Sequence, residues 1–112
     1  MKFKATLITA ALCLSYCPPA VAGPTSATGV ISSYFLSGAT NYAFRISLNQ
    51  SGVNPLSQCT DGFAYLNTSD NNYQAKVSSL LSAYAMKSTV SLAGIATDSG
   101  GFCVIQDFMV TN

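Results

Sequence analysis

The chain has no histidine, no glutamate and no tryptophan, and charged residues fill only 8% of its 112 positions. Without histidine or glutamate, general acid–base or nucleophilic work would fall to aspartate, lysine, tyrosine or serine, and no pairing of these is legible from spacing. The missing histidine also removes the usual zinc ligand, and no EF-hand spacing is present. The expectation is a protein that binds rather than catalyses, with no cofactor and no metal. Its four acidic residues have ordinary explanations. Asp61 and Asp98 lie near glycines in turn-like segments, Asp70 fits a helix cap, and Asp107, inside a strand pattern, reads as a buried acceptor for a neighbouring loop.

Cations are as scarce. Beyond residue 22 only Arg45, Lys76 and Lys87 remain, against those four aspartates. No basic stripe exists on which nucleic acid binding could rest. The polar surface must be built from Ser, Thr, Asn and Gln, which suits uncharged hydrogen-bonding partners and does little to keep copies of the chain apart. A homo-oligomer is therefore expected.

Long hydrophobic runs are also missing. The longest, Ala5 to Tyr16, is shorter than the roughly 20 residues that cross a membrane. It follows Lys2 and Lys4 and precedes Ala20-Val21-Ala22, the small-x-small pattern of a signal-peptidase site. Residues 1–22 read as a signal peptide, residues 23–112 as the mature domain, and the location as secreted or periplasmic. A lipidated start at Cys17 is the alternative, against which bulky Tyr16 argues. Cutting after Ala22 removes Cys13 and Cys17 and leaves Cys59 and Cys103, which in an exported domain read as one disulfide. Without CxxC spacing, a redox pair or metal site is disfavoured.

What is present reads as strands around one helix. Val30–Leu36 is rich in branched and aromatic residues, and Tyr42–Leu48 alternates with Tyr42, Phe44, Ile46 and Leu48 on one face. Gly62–Asn67 gives a third strand, after a loop over 49–60 marked by Gly52, Asn54 and Pro55. A helix is expected over Asp70–Met86, with Tyr73, Val77, Leu80, Leu81 and Tyr84 on one face and the small residues Ala75, Ser78, Ser79 and Ser82 around the other. Thr89–Ile95 and Phe102–Val110 complete the pattern, with Gln106 interrupting the apolar set of the last strand. The order β-β-β-α-β-β is that of an all-β protein with one helix, the OB-fold-like five-stranded Greek-key barrel. Asn49-Gln50-Ser51 and Asn67-Thr68-Ser69 match the glycosylation sequon, a triplet frequent by chance.

Thr28-Gly29-Val30-Ile31, Tyr42-Ala43-Phe44, Cys59, the Tyr73–Tyr84 helix and Thr89-Val90-Ser91-Leu92 together resemble the B subunits of subtilase-cytotoxin and pertussis-like AB5 toxins and related small secreted bacterial proteins. The resemblance implies a pentamer that recognises sialylated host glycans and pairs with a separately encoded toxin A subunit. It also implies a sugar contact at Thr28, where the toxins usually carry serine in contact with the sugar's carboxylate. Pro24 stands where they can carry an acidic residue. Tyr84 is a second candidate contact, since an aromatic face packs on a sugar ring, although its place on the apolar stripe equally suits the core. The competing reading is a non-catalytic envelope or secreted interaction or inhibitor module with the same barrel and no sugar site.

Overall fold

The computed structural model describes residues 23–112. The expected signal peptide, with Cys13, Cys17 and the cut after Ala22, lies outside the described residues. Five strands, β1 (Ala27–Leu36), β2 (Phe44–Asn49), β3 (Ala64–Leu66), β4 (Thr89–Thr97) and β5 (Cys103–Thr111), form a closed barrel in the order β1-β2-β3-β5-β4. One helix, α1 (Tyr73–Met86), lies between β3 and β4. Every pairing is antiparallel except β3 with β5, a parallel seam of two residue pairs, Ala64 with Cys103 and Tyr65 with Val104.

β1 begins at Ala27 rather than Val30 because its first residues serve a second neighbour. Ala27–Val30 pair with β4, and from Val30 the strand pairs with β2. The register shifts between Ile31 and Ser33, so Ser32 is an extra residue where the strand turns from one partner to the other. Gly29 makes the passage possible, since a Cβ there would lie 2.8 Å from the Asn49 carbonyl oxygen.

The core follows the alternation of β2. Phe44, Ile46 and Leu48 are fully buried, joined by Leu66, Val90, Leu92 and Ile105. Each such side chain contributes about 1.5–3 kcal/mol by leaving water. Helix α1 adds Val77, Leu80 and Ala83, with Tyr73 and Leu81 packed at the margin. Ala83 thus takes the core position expected for Tyr84, which is 39% exposed. Leu56, in the loop between β2 and β3, is completely buried, so a segment punctuated by Gly, Asn and Pro still supplies a core residue.

The expected cap at Asp70 is not formed. The helix starts at Tyr73, preceded by Asn72 in left-handed conformation with no side-chain cap, and Asp70 instead accepts from the Asn67 amide at 2.8 Å, closing the turn before it. The interruption at Gln106 is a bulge. Ile95 pairs with Ile105, Gly94 with Asp107 and Leu92 with Phe108, leaving Ala93 and Gln106 without partners. The inward set therefore runs Cys103, Ile105 and then Phe108, switching parity at the bulge. Asp107 is exposed there rather than buried. Cys59 and Cys103 are joined, with Cα atoms 5.5 Å apart.

Candidate functional site

Thr28 and Tyr84 occupy separate parts of the barrel. Thr28 points outward from β1, half-buried, opposite Ser91 of β4, and their hydroxyls share a hydrogen bond of 3.2 Å. Tyr84 packs edge-on against Tyr34, ring centroids 5.2 Å apart. Tyr34 lies six residues beyond Thr28 along β1, about 20 Å of extended chain. The β1–β4 wall around Thr28 is lined with hydroxyls, Thr89 and Ser91 of β4 alternating with buried Val90 and Leu92.

A denser constellation covers the opposite wall, formed by β2, β3 and the loops after β1 and β4. Tyr42, expected on the same strand face as Phe44, Ile46 and Leu48, precedes β2 with a φ of 54°, half-buried, and its ring joins an outer cluster. Its backbone amide donates to the Asn67 side-chain oxygen at 2.8 Å, which holds this uncommon conformation. The Tyr42 ring lies 4.3 Å from Tyr65 and 5.1 Å from Phe102, and Phe102 lies 5.6 Å from Phe63. Four rings, from β3 with the residue before it and from the loops after β1 and β4, thus meet on one surface. Such tilted contacts contribute about 0.5–1.5 kcal/mol beyond area burial.

Asp98 organises the cluster. One carboxylate oxygen accepts the Tyr65 hydroxyl at 2.9 Å and the Tyr42 hydroxyl at 3.1 Å, and the other accepts the amides of Gly100 and Phe102 at 2.9 and 3.0 Å. Burial pushes this carboxyl up. The hydrogen bonds from Tyr65, the two amides and Tyr42 outweigh it and hold the group below the usual carboxylate range. Burial first, and the neighbouring carboxylate second, push the hydroxyls of Tyr65 and Tyr42 above the usual tyrosine range. The carboxylate is therefore ionised, the phenols neutral, and all four partners are donors. Every strong acceptor direction is used, so Asp98 acts as a clamp on the loop rather than as a general base.

Beside the rings sits Arg45, the only arginine in the chain. It faces outward from β2, opposite Phe35 of β1, with its guanidinium carbon 4.6 Å from the centre of the Phe35 ring and 5.4 Å from that of Phe63. Its Nε donates to the Tyr42 carbonyl at 3.0 Å. Ser33 and Ser47, a directly opposed pair on β1 and β2, complete a recess of about 120 Å³. A larger recess, about 570 Å³, lies between the start of α1 and β5, lined by Asp70, Asn72, Lys76 and Gln106 among others. It holds no aromatic surface, and Asp70 there is already engaged. Among the described residues no three His, Cys, Asp or Glu side chains gather into a metal-binding group, and no helix is long and apolar enough to cross a membrane.

Sequence reasoning missed this wall because its parts are far apart in the chain and were each explained locally. Asp98 read as a turn residue, Phe102 as a strand start and Arg45 as the polar side of an alternating strand. The usable signal was the strand order itself, since in an OB-fold the face of strands 2 and 3, with the loops after strands 1 and 4, is where oligosaccharides and oligonucleotides bind. No family model, no curated protein and no solved structure matches the chain.

Proposed function

We propose that this protein is a secreted glycan-binding domain of the AB5 toxin B-subunit kind, taking a sialylated host glycan on its outer barrel wall. The observation that carries the reading is the ring cluster of Tyr42, Tyr65, Phe63 and Phe102, held by Asp98 at the OB-fold ligand face. Aromatic faces offer apolar, rigid surface for the C–H face of a sugar ring, and the neighbouring serines offer hydrogen bonds. The disulfide and the basic, then apolar, leader support export. The Thr28–Ser91 hydroxyl pair on the other wall is the position that the toxin resemblance favours.

A homo-oligomer, in the toxin pattern a pentamer, is supported by the exposed small-residue side of α1. Ser78, Ser79 and Ser82 border a groove of about 390 Å³ with Met86 and Val110, and small side chains let backbones approach closely. A toxin A subunit would be the partner of such a ring. The second reading, an interaction or inhibitor module, is favoured by the exposed apolar residues Tyr34, Phe35, Leu36 and Met109.

A glycan-array screen of the oxidised protein, with its mass measured in solution, tests the proposal. Selective sialoside binding by a pentamer is the expected result. A folded monomer that binds no sugar on the array would overturn it in favour of the interaction module.

A further inference from the structure

We propose that the recess over Arg45 is a carboxylate-binding subsite, and that the ligand it takes is an acidic sugar. The inference deepens the glycan reading and rests on it for the sugar, but not for the carboxylate.

An arginine guanidinium carries five N–H donors in a rigid plane, with two paired edges, Nε with Nη and Nη with Nη. Here the Nε–H is occupied by the Tyr42 carbonyl, and the Phe35 and Phe63 rings flank the group. No hydrogen bond among the described residues uses the terminal Nη groups. Their paired edge matches a carboxylate in two-pronged geometry, which a point charge such as lysine does not reproduce. The flanking rings and the Nε bond fix the orientation in advance, so little side-chain freedom is lost on binding.

Three of the protein's four aspartates are committed or placed elsewhere, and the fourth, Asp61, is exposed in the turn over 60–62. Asp98 is bound by Tyr42 and Tyr65, Asp70 by the Asn67 amide, and Asp107 stands over Gly94 on the β4–β5 side. Size then narrows the ligand. A recess of about 120 Å³ holds on the order of four waters at roughly 30 Å³ each, enough for a carboxylate and the carbon that bears it but not for a whole sugar ring. The remainder of the ligand must lie outside, along Phe63. The Ser47 hydroxyl donates to the Gly62 carbonyl at 3.4 Å and keeps its oxygen as an acceptor; with the opposed Ser33 hydroxyl it favours a ligand with hydroxyls within reach of its acid, as on an acidic sugar, over a plain peptide carboxylate.

Because Arg45 is the sole arginine, its Nε–Hε gives one assignable side-chain NMR signal. Titration of the oxidised full protein with the methyl glycosides of N-acetylneuraminic acid and glucuronic acid is expected to shift that signal. The corresponding carboxylate methyl esters should bind at least tenfold more weakly, and Arg45→Lys should lose a similar factor while remaining folded. If acids and esters bind alike and the signal stays still, the subsite is overturned and the glycan reading stands. If no sugar moves the signal but a short peptide with a free terminal carboxylate does, the carboxylate site stands and the glycan reading falls. Failure of every carboxylate probe to move the signal overturns the subsite outright.

Discussion

The two outer walls of the barrel are built by different means. On the β1–β4 wall, Thr28 faces Ser91 within regular antiparallel pairing, and each outward residue owes its place to the alternation of its own strand. On the β2–β3 wall, Tyr42, Phe63, Tyr65 and Phe102 come from three separate segments and are assembled around one carboxylate. The first wall is a by-product of strand geometry and needs no particular side chain to persist. The second is tied together by the Asp98 carboxylate and the loop that carries it. A ligand site on the second wall is therefore open to disruption through one carboxylate that need not touch the ligand, without unfolding of the barrel.

The largest effect should come from cutting what both walls share. Replacing Cys59 and Cys103 together by alanine removes a link across a sequence separation of 44 residues, which in the chain-entropy account costs about 4 kcal/mol. Denaturant unfolding is expected to show that loss, with the loop end of the aromatic wall suffering first. Amide exchange that rose equally on both walls would remove the distinction drawn between them.

Asp98→Asn is the sharper cut. It keeps the shape and removes the charge that four donors share, with an expected loss of about 1–2 kcal/mol after allowance for solvent screening. The near-ultraviolet signal of the tyrosines should fall and glycan binding on this wall should weaken, while Thr28 and Ser91 keep their chemical shifts. A variant with unchanged tyrosine signals would show that the rings hold themselves.

Acid should reproduce that variant reversibly. The Asp98 carboxyl sits lower in the folded protein than in the unfolded chain, where it is about 3.9. Its contribution is complete well above that value and is lost as pH falls through the lower, folded-state one. The tyrosines give the opposite limb. Raised Tyr42 and Tyr65 hydroxyls favour the fold below about pH 10, and the gain fades as the pH climbs past that point. Tyrosine fluorescence followed through both limbs would locate them, and Asp98→Asn should flatten the acid limb.

Thr28→Ala is expected to have the smallest effect on stability, within about 0.5–1 kcal/mol, since it removes one half-exposed hydroxyl contact. Its value lies in binding. Loss of sugar affinity in this variant with Arg45→Lys unaffected would move the site to the hydroxyl wall, and the converse would fix it on the aromatic one.

The same contrast explains how much could be read from the sequence. Phe44, Ile46 and Leu48 announce their inward face by period two, and the β-β-β-α-β-β order follows from similar local signals. With residues 1–22 read as a signal peptide, Cys59 and Cys103 left one pairing to expect, and the two are joined. What period two could not announce was a change of parity. Tyr42 leaves its alternation through a positive φ, and Gln106 shifts β5 by one residue. Leu56 is buried from a loop because tertiary space was free there, not because local chemistry asked for it. The aromatic wall was illegible for a related reason, since its members converge through the closing of the barrel and not through spacing.

That closing has a consequence of its own. Four of the five seams are antiparallel, while the seam between β3 and β5 is parallel and has two residue pairs, one of which contains Cys103 itself. The tube is thus a strip closed at a short seam, beside which stands the one bond in the described domain that depends on the oxidising power of its surroundings. In a reducing compartment that seam keeps its hydrogen bonds, those from Thr60 to Gly100 and Gly101 among them, and loses its covalent link, so how firmly the tube is held shut depends on where the chain is as well as on what it encodes.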